Sequence, residues 1–319
     1  MIFSWFSSGI DSIETVNLGI LFYNIIAFGL QPIIGYVCDT YKRIPIAAFG
    51  YLLLIIGLFF MNIPTISIIL MATGNACFHI GGGIDSLRYA EGKMVRSGIF
   101  VSSGALGVVL GTLAGKSNFL SMYFPVGLLL ICIILFFVFC SKQIDPQCLK
   151  TTFAITNPKL RFETIILLAS ISIIIRSYAG SILPIEWRTT TILFLFPAIG
   201  AFIGKASGGY LADKFGAKRI GIMSLTLAAI LLSLGYMNPW IYLIGIAFFN
   251  VSMSITLCSI ASQLNKNPGL AFGITTLALL CGNVPTFFFT PPLIPVTFAL
   301  LTIFSVICLQ LILKGGRKI

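Results

Sequence analysis

Apolar runs of about 20 residues recur from one end of this 319-residue chain to the other, and that is the length a helix needs to cross a hydrocarbon core. Few folds tolerate such a pattern. Hydrophobic residues make up 58% of the chain and charged residues 9%, against about 25% charged in a soluble domain. Too little polar surface is left to cover a water-facing globule. Inside a bilayer the backbone must satisfy its own hydrogen bonds, which leaves helices as the answer for runs of this length. The runs predict an all-α polytopic membrane protein with eleven full spans, near 15–37, 45–62, 66–88, 97–115, 120–140, 164–184, 189–211, 219–236, 240–262, 270–289 and 292–313. Turn signals such as Asn238-Pro239 and Asn267-Pro268-Gly269 separate them.

The net charge of +11 would suit a nucleic-acid partner if it formed a stripe. Instead the basic residues sit in short clusters between apolar runs. Of the 20 Lys and Arg residues, sixteen fall on one side of the span alternation, Lys116 and Arg188 on the other, and Arg176 and Lys205 within spans. Positive clusters mark the cytoplasmic side. The expected topology therefore has residue 14 outside and the C-terminus cytoplasmic, in a cell (inner or plasma) membrane, with no nucleic-acid partner. The 8 cysteines lie mostly in apolar runs without a CxxC pair, so neither a disulfide framework nor a metal site is expected. No cofactor motif is present, and a monomer is expected.

The longest connection, about 141–163, is polar and divides five spans from six. The expected organisation is an N-terminal bundle over 1–140, a cytoplasmic linker over 141–163 and a C-terminal six-helix bundle over 164–319. Each bundle carries a Gly, an Asp four residues later, and a basic cluster at a matching point: GYVCDTYKR at 35–43 and GYLADKFGAKR at 209–219. Matched motifs in two halves are the mark of a duplicated transporter fold.

The second stretch resembles the loop motif of the major facilitator superfamily, with Gly209, Asp213, Lys214, Gly216, Lys218 and Arg219 in register. In the first, Gly35, Asp39, Lys42 and Arg43 remain, and Thr40 and Tyr41 replace the usual basic residue and its neighbour. The resemblance implies a two-bundle fold of twelve helices, with the motif between the second and third helix of each half. The eleven spans then number as helices 2 to 12. MIFSWFSSGI, at 1–10, would be the remnant of a truncated helix 1. A softer similarity lies in GNACFHIGGG at 74–83, which looks like the fosmidomycin-resistance-type branch, with Ile80 standing where that branch carries Pro.

In the family each Asp latches the two halves on the cytoplasmic side. Carried over, Asp39 is expected at the start of helix 11 near Gly269, and Asp213 at the start of helix 5 near Ser97. The Gly four residues earlier lets the other helix approach, and the free amides there favour an anion.

Polar side chains within spans usually face a cavity or a partner. The substrate-cavity candidates are His79 and Asn75 on helix 4, Arg176 on helix 7, and Asn250 on helix 10. Ser172 and Ser254 lie one turn from Arg176 and Asn250. His79 can change charge near neutral pH, which makes it the first proton-coupling candidate, with Asp85 second. Lys205 is expected to snorkel to the inner interface, the alternative being that it presents a cation to the pathway. Gly104, Gly107, Gly111 and Gly115 read as a small-residue seam for a neighbouring helix. A single His and the absence of HExxH, GxSxG, CxxC and P-loop patterns argue against a membrane enzyme. The expected function is secondary transport of a small polar or anionic solute by alternating access, including proton-coupled efflux. The alternative is a non-transporting remnant or partner protein.

Overall fold

The structure is a computed structural model that describes residues 13–41, 45–117, 123–139 and 152–315. The proposed helix 1 remnant at 1–10, motif residues Lys42 and Arg43, and most of the 141–163 connection lie outside the described residues. Nearly all the rest is helix. In chain order the helices are α1 Ile13–Gly29, α2 Gln31–Tyr41, α3 Ile46–Phe59, α4 Pro64–Arg88, α5 Val95–Ser117, α6 Tyr123–Phe139, α7 Phe162–Ile182, α8 Thr191–Phe215, α9 Ala217–Gly235, α10 Pro239–Gln263, α11 Pro268–Asn283 and α12 Ile294–Ile312. Among the described residues nine helical segments are long and apolar enough to cross a membrane, with α1 and α2 counted as one. Two more apolar helices, α3 and α6, are shorter. The chain is a multi-pass membrane protein.

The described residues fall into two compact units. One draws on 1–85, 108–148 and 266–277, the other on 86–107, 149–265 and 278–319.

In the first unit the opening span is broken rather than continuous, with a bend at Leu30 between α1 and α2. Pro32 has no N–H to continue the ladder. The buried amide of Gln31 donates to the Ala27 carbonyl at 2.7 Å and so supplies a bond within the break. The α11 helix packs here through two glycines. A Cβ on Gly273 would lie 2.5 Å from Pro32 Cα, and one on Gly269 would lie 2.5 Å from the Gly35 carbonyl oxygen.

In the second unit α10 is the most enclosed helix, with fourteen buried residues from Tyr242 to Ala261. Its neighbour α8 presents Gly200, Gly204 and Gly208 to it. A Cβ on Gly204 would stand 2.0 Å from the Ala247 carbonyl oxygen, and one on Gly208 2.2 Å from that of Val251. The helices α9 and α12 bury small and large residues together, Leu225 and Leu232 on the first and Phe298, Leu309 and Ile312 on the second being fully enclosed. On α9, Gly221, Ser224 and Ala228 face inward while Leu227, Ile230 and Leu234 are exposed. On α12, Thr302 and Ser305 are buried while Leu300, Ile303, Phe304 and Ile307 are exposed. Lipid tails are as apolar as leucine, so the small buried residues serve by letting backbones close together.

The described end of the connection, from residue 152, is docked rather than loose. Phe153 is buried. Thr156 bridges to Leu313, and the Lys314 and Asn157 amides donate to the Ile155 and Ile312 carbonyls at 3.0 and 2.8 Å. Gln263 at the end of α10 donates to the Thr156 hydroxyl at 3.0 Å.

The glycines of α5 depart from the sequence expectation. A Cβ on Gly104 or Gly107 would meet nothing within 4 Å among the described residues. Among the described residues these two form no helix seam; they lie on an exposed face that also carries Ser103.

Candidate functional site

Both Asp residues of the repeated motif cap the start of another helix, with the same geometry. Asp39, in the last turn of α2, accepts from the Gly269 amide at 2.9 Å through one carboxylate oxygen and from the Leu270 amide at 2.8 Å through the other. Pro268 opens α11 and has no N–H, so these are the first two amides the helix can offer. Asp213, in the last turn of α8, accepts from Met94 at 2.9 Å and Val95 at 3.0 Å at the start of α5. Each pair joins residues of one compact unit.

In both cases the Gly one turn earlier makes the approach possible. A Cβ on Gly35 would sit 2.2 Å from the Gly269 carbonyl oxygen, and one on Gly209 would sit 2.4 Å from that of Met94. Gly98 contributes from the opposite side, with the Lys205 carbonyl 2.7 Å from where its Cβ would be. A carboxylate on two unpaired amides at the positive end of a helix makes charge-assisted bonds.

The other motif residues shape the α8–α9 corner. Gly216 has φ +92°, a conformation in which a side chain is strained, and it both ends α8 and starts α9. The Lys214 ammonium lies over the rings of Tyr210 and Phe215, at 5.9 and 5.2 Å from their centroids. Lys218 and Arg219 line a hollow of about 620 Å³ with Asp213 and Lys314.

A second feature lies inside the second unit. Arg176 is 3% exposed. Its guanidinium donates to the Ser252 hydroxyl at 2.7 Å and to the Thr256 hydroxyl at 3.0 Å. Those hydroxyls donate to α10 carbonyls, Ser252 to Phe249 and Thr256 to Ser252 and Met253. Their lone pairs are therefore left for the arginine. The guanidinium is held in place by neutral groups, and its Nε–H has no partner among the described residues.

Arg176 lines a cavity of about 290 Å³ together with Lys205, Asn250, Tyr242 and Phe249. None of the lining residues is Asp or Glu. Pro197, Ala201 and Lys205 bring α8 into the wall at successive turns. Asn250 donates to the Ile246 carbonyl at 2.9 Å. Trp187 packs edge-on against Tyr242, with centroids 5.2 Å apart, and donates to the Tyr236 carbonyl at 2.9 Å. It is a structural wedge between helix ends beside the cavity.

The structure thus brings Arg176 and Asn250 into one cavity. It places Ser172 elsewhere, with its hydroxyl 2.7 Å from Ser305 on α12. Ser254 is fully buried in α10, without a hydrogen-bond partner among the described residues. His79 and Asn75 are half-buried on α4 in the first unit, with the His79 ring edge-on to Phe78 at 5.5 Å between centroids. Asp85 lies in that unit too.

Solved structures share this arrangement of helices. A major facilitator superfamily transporter, FucP, in the outward conformation matches with a TM-score of 0.59, over 94% of this chain and 91% of its own, at 14% identity. The fold is the major facilitator fold. The human organic anion transporter TETRAN matches at 0.63, over 92% of this chain and 83% of its own, at 15% identity. A bacterial homologue of the iron transporter ferroportin, in its outward-facing state, matches at 0.55 over 97% and 91%, at 15% identity. No family model and no curated protein matches the chain.

Within this major facilitator fold, Lys205 lines the cavity, the second of the two placements its sequence position allowed. A signal was available. Gly200, Gly204 and Gly208 mark the packed face of α8, and Lys205 sits one position around from Gly204, on the neighbouring face. Its charge was assigned to the interface because a long cationic side chain usually reaches for water.

Proposed function

We propose that the chain is a secondary active transporter that moves a small polar or anionic solute by alternating access. The single observation that carries this reading is the repeated latch. Two carboxylates, Asp39 and Asp213, each close on two free amides at the start of another helix, over a Gly that admits the contact. Each contact, worth roughly 1–2 kcal/mol, is strong enough to bias a conformational equilibrium and weak enough to break in a transport cycle. The gating motif comprises Gly35, Asp39, Lys42 and Arg43 in one half and Gly209, Asp213, Lys214, Gly216, Lys218 and Arg219 in the other.

The substrate binds near Arg176 and Asn250, and His79 with Asn75 supplies polar groups from α4. Protons couple through His79, with Asp85 as the second candidate, and the direction is efflux. The halves are 1–140 and 164–319, joined by 141–163. Eleven full spans cross a cell membrane, the C-terminus is cytoplasmic, and the monomer is the working unit. Support for an anionic solute comes from the acid-free cavity and from a structural neighbour that is an organic anion transporter.

α8 connects the two features. Lys205 in the cavity, Gly209 at the crossing and Asp213 at the latch are spaced four residues apart on one helix. A ligand that shifts Lys205 acts on the helix that carries the latch.

Reconstitution into proteoliposomes tests the proposal. Flux of labelled succinate and glycerol 3-phosphate is expected for the wild-type chain and reduced at least several-fold by Asp213→Ala. Robust flux that the substitution leaves unchanged would remove the latch from the mechanism.

A further inference from the structure

Two cations share the cavity walled by α7, α8 and α10. Arg176 is almost fully buried, held by two neutral hydroxyls, with its Nε–H unpartnered among the described residues. Lys205 is half-buried, and no hydrogen bond or ion pair engages its ammonium among the described residues. No carboxylate lines the space between them. Removing two charges from water without compensation is expensive, and protein interiors normally pair such groups. Here the chain supplies the positive partners and leaves the negative ones to a ligand.

The geometry points to an organic dianion as the ligand of this cavity, and we propose that Arg176 and Lys205 each take one of its negative oxygens or oxygen groups. Arg176 offers a planar donor fork whose position the α10 hydroxyls fix, which suits a carboxylate or phosphate face. Lys205 acts as a point charge on a flexible stem, so it accepts the second group with looser geometry. The remaining wall is apolar and aromatic, with Pro197, Ile246 and Phe249, and Asn250 adds an amide. Such a wall favours a carbon skeleton between the charges over a bare inorganic ion. A cavity of about 290 Å³ holds a small metabolite, since pockets for larger, drug-sized ligands run to about 1,000 Å³. Charge balance gives the specificity: a monoanion leaves one cation unpaired, and a neutral isostere leaves both.

This inference rests on the transport reading for its purpose, but binding tests it separately. The purified full-length chain in detergent is titrated with four probes: succinate, glycerol 3-phosphate, monomethyl succinate and succinamide. Binding is read by tryptophan fluorescence, since Trp187 packs on the cavity residue Tyr242, and by thermal shift. At least one dianion is expected to bind, roughly tenfold or more tighter than the monoester, with no response to the diamide. Lys205→Gln should bring the dianion down to the level of the monoester, and Lys205→Arg should restore most of the difference. Arg176→Gln should abolish binding of both.

Equal binding of diamide and dianion overturns the proposal, as does the absence of binding by either dianion to a wild-type chain that melts cooperatively. Insensitivity of dianion binding to Lys205→Gln also overturns it. Dianion binding without flux in proteoliposomes would leave the site and remove the transporter, whereas flux of a neutral solute unaffected by either dianion would do the reverse.

Discussion

Gly35 and Gly269 meet backbone against backbone: a Cβ on the first would lie 2.2 Å from the carbonyl oxygen of the second, and one on the second 2.5 Å from that of the first. The Asp39 latch depends on this crossing. Gly35→Ala is expected to push α2 from α11 and lower stability by about 1–3 kcal/mol, as overpacking does. Detergent-phase thermal unfolding measures it. Gly104→Ala is the control, because its Cβ meets nothing within 4 Å among the described residues, and its midpoint should hold or rise slightly, Ala being the better helix former.

The two latches lie in separate compact units, so each substitution acts first on its own helix start. Asp39→Ala is expected to raise amide hydrogen exchange at Gly269 and Leu270 by about tenfold for a loss near 1.4 kcal/mol, with a smaller rise at Met94 and Val95 from the shared shift toward the inside-open state. Asp213→Ala should give the mirror result. Asp39→Asn should fall between wild type and the alanine variant, because its amide oxygen still accepts from one helix N–H while its NH₂ turns a donor toward the other. Exchange mass spectrometry on peptides covering both helix starts reads all three variants.

Gly216 holds φ +92° at the α8–α9 corner. Gly216→Ala should cost about 1–3 kcal/mol through backbone strain, since among the described residues nothing lies within 4 Å of the added Cβ. A lowered unfolding midpoint without any new clash elsewhere would fit; an unchanged midpoint would not.

Arg176→Met separates a ligand-binding charge from a structural one. A buried cation held only by neutral hydroxyls contributes little to stability, and an apolar residue of similar length often preserves or raises it. The melting midpoint should hold or rise while dianion binding disappears. A midpoint that falls by many degrees would identify Arg176 as a structural support instead.

The helical, membrane-spanning architecture was legible because bilayer thickness and backbone hydrogen bonding leave few choices for such apolar runs. That Asp39 and Asp213 would each meet another helix start was legible from the Gly four residues before each, while the helix that each meets was implied by the resemblance to the major facilitator loop motif. The role of α8 was harder to read. Lys205 in a span invites a snorkelling interpretation, and only the rotation set by Gly200, Gly204 and Gly208 turns it into the cavity. Gly104 and Gly107 of α5 show the converse: spacing alone does not distinguish a packed seam from a face that meets nothing among the described residues. The break at Leu30 has a visible cause in Pro32, but the Gln31 bond that accompanies it depends on a rotamer, which periodicity does not encode.

Alternating access itself is the central claim, and it can be measured without knowing the solute. Ala201 lines the cavity between Pro197 and Lys205. In a background with the other cysteines removed, Ala201→Cys is labelled with a membrane-impermeant maleimide in right-side-out and in inside-out vesicles. Labelling is expected from both sides, and Asp39→Ala or Asp213→Ala should raise the inside-out rate several-fold at the expense of the other. Labelling confined to one side, with rates indifferent to both latch substitutions, would contradict the account.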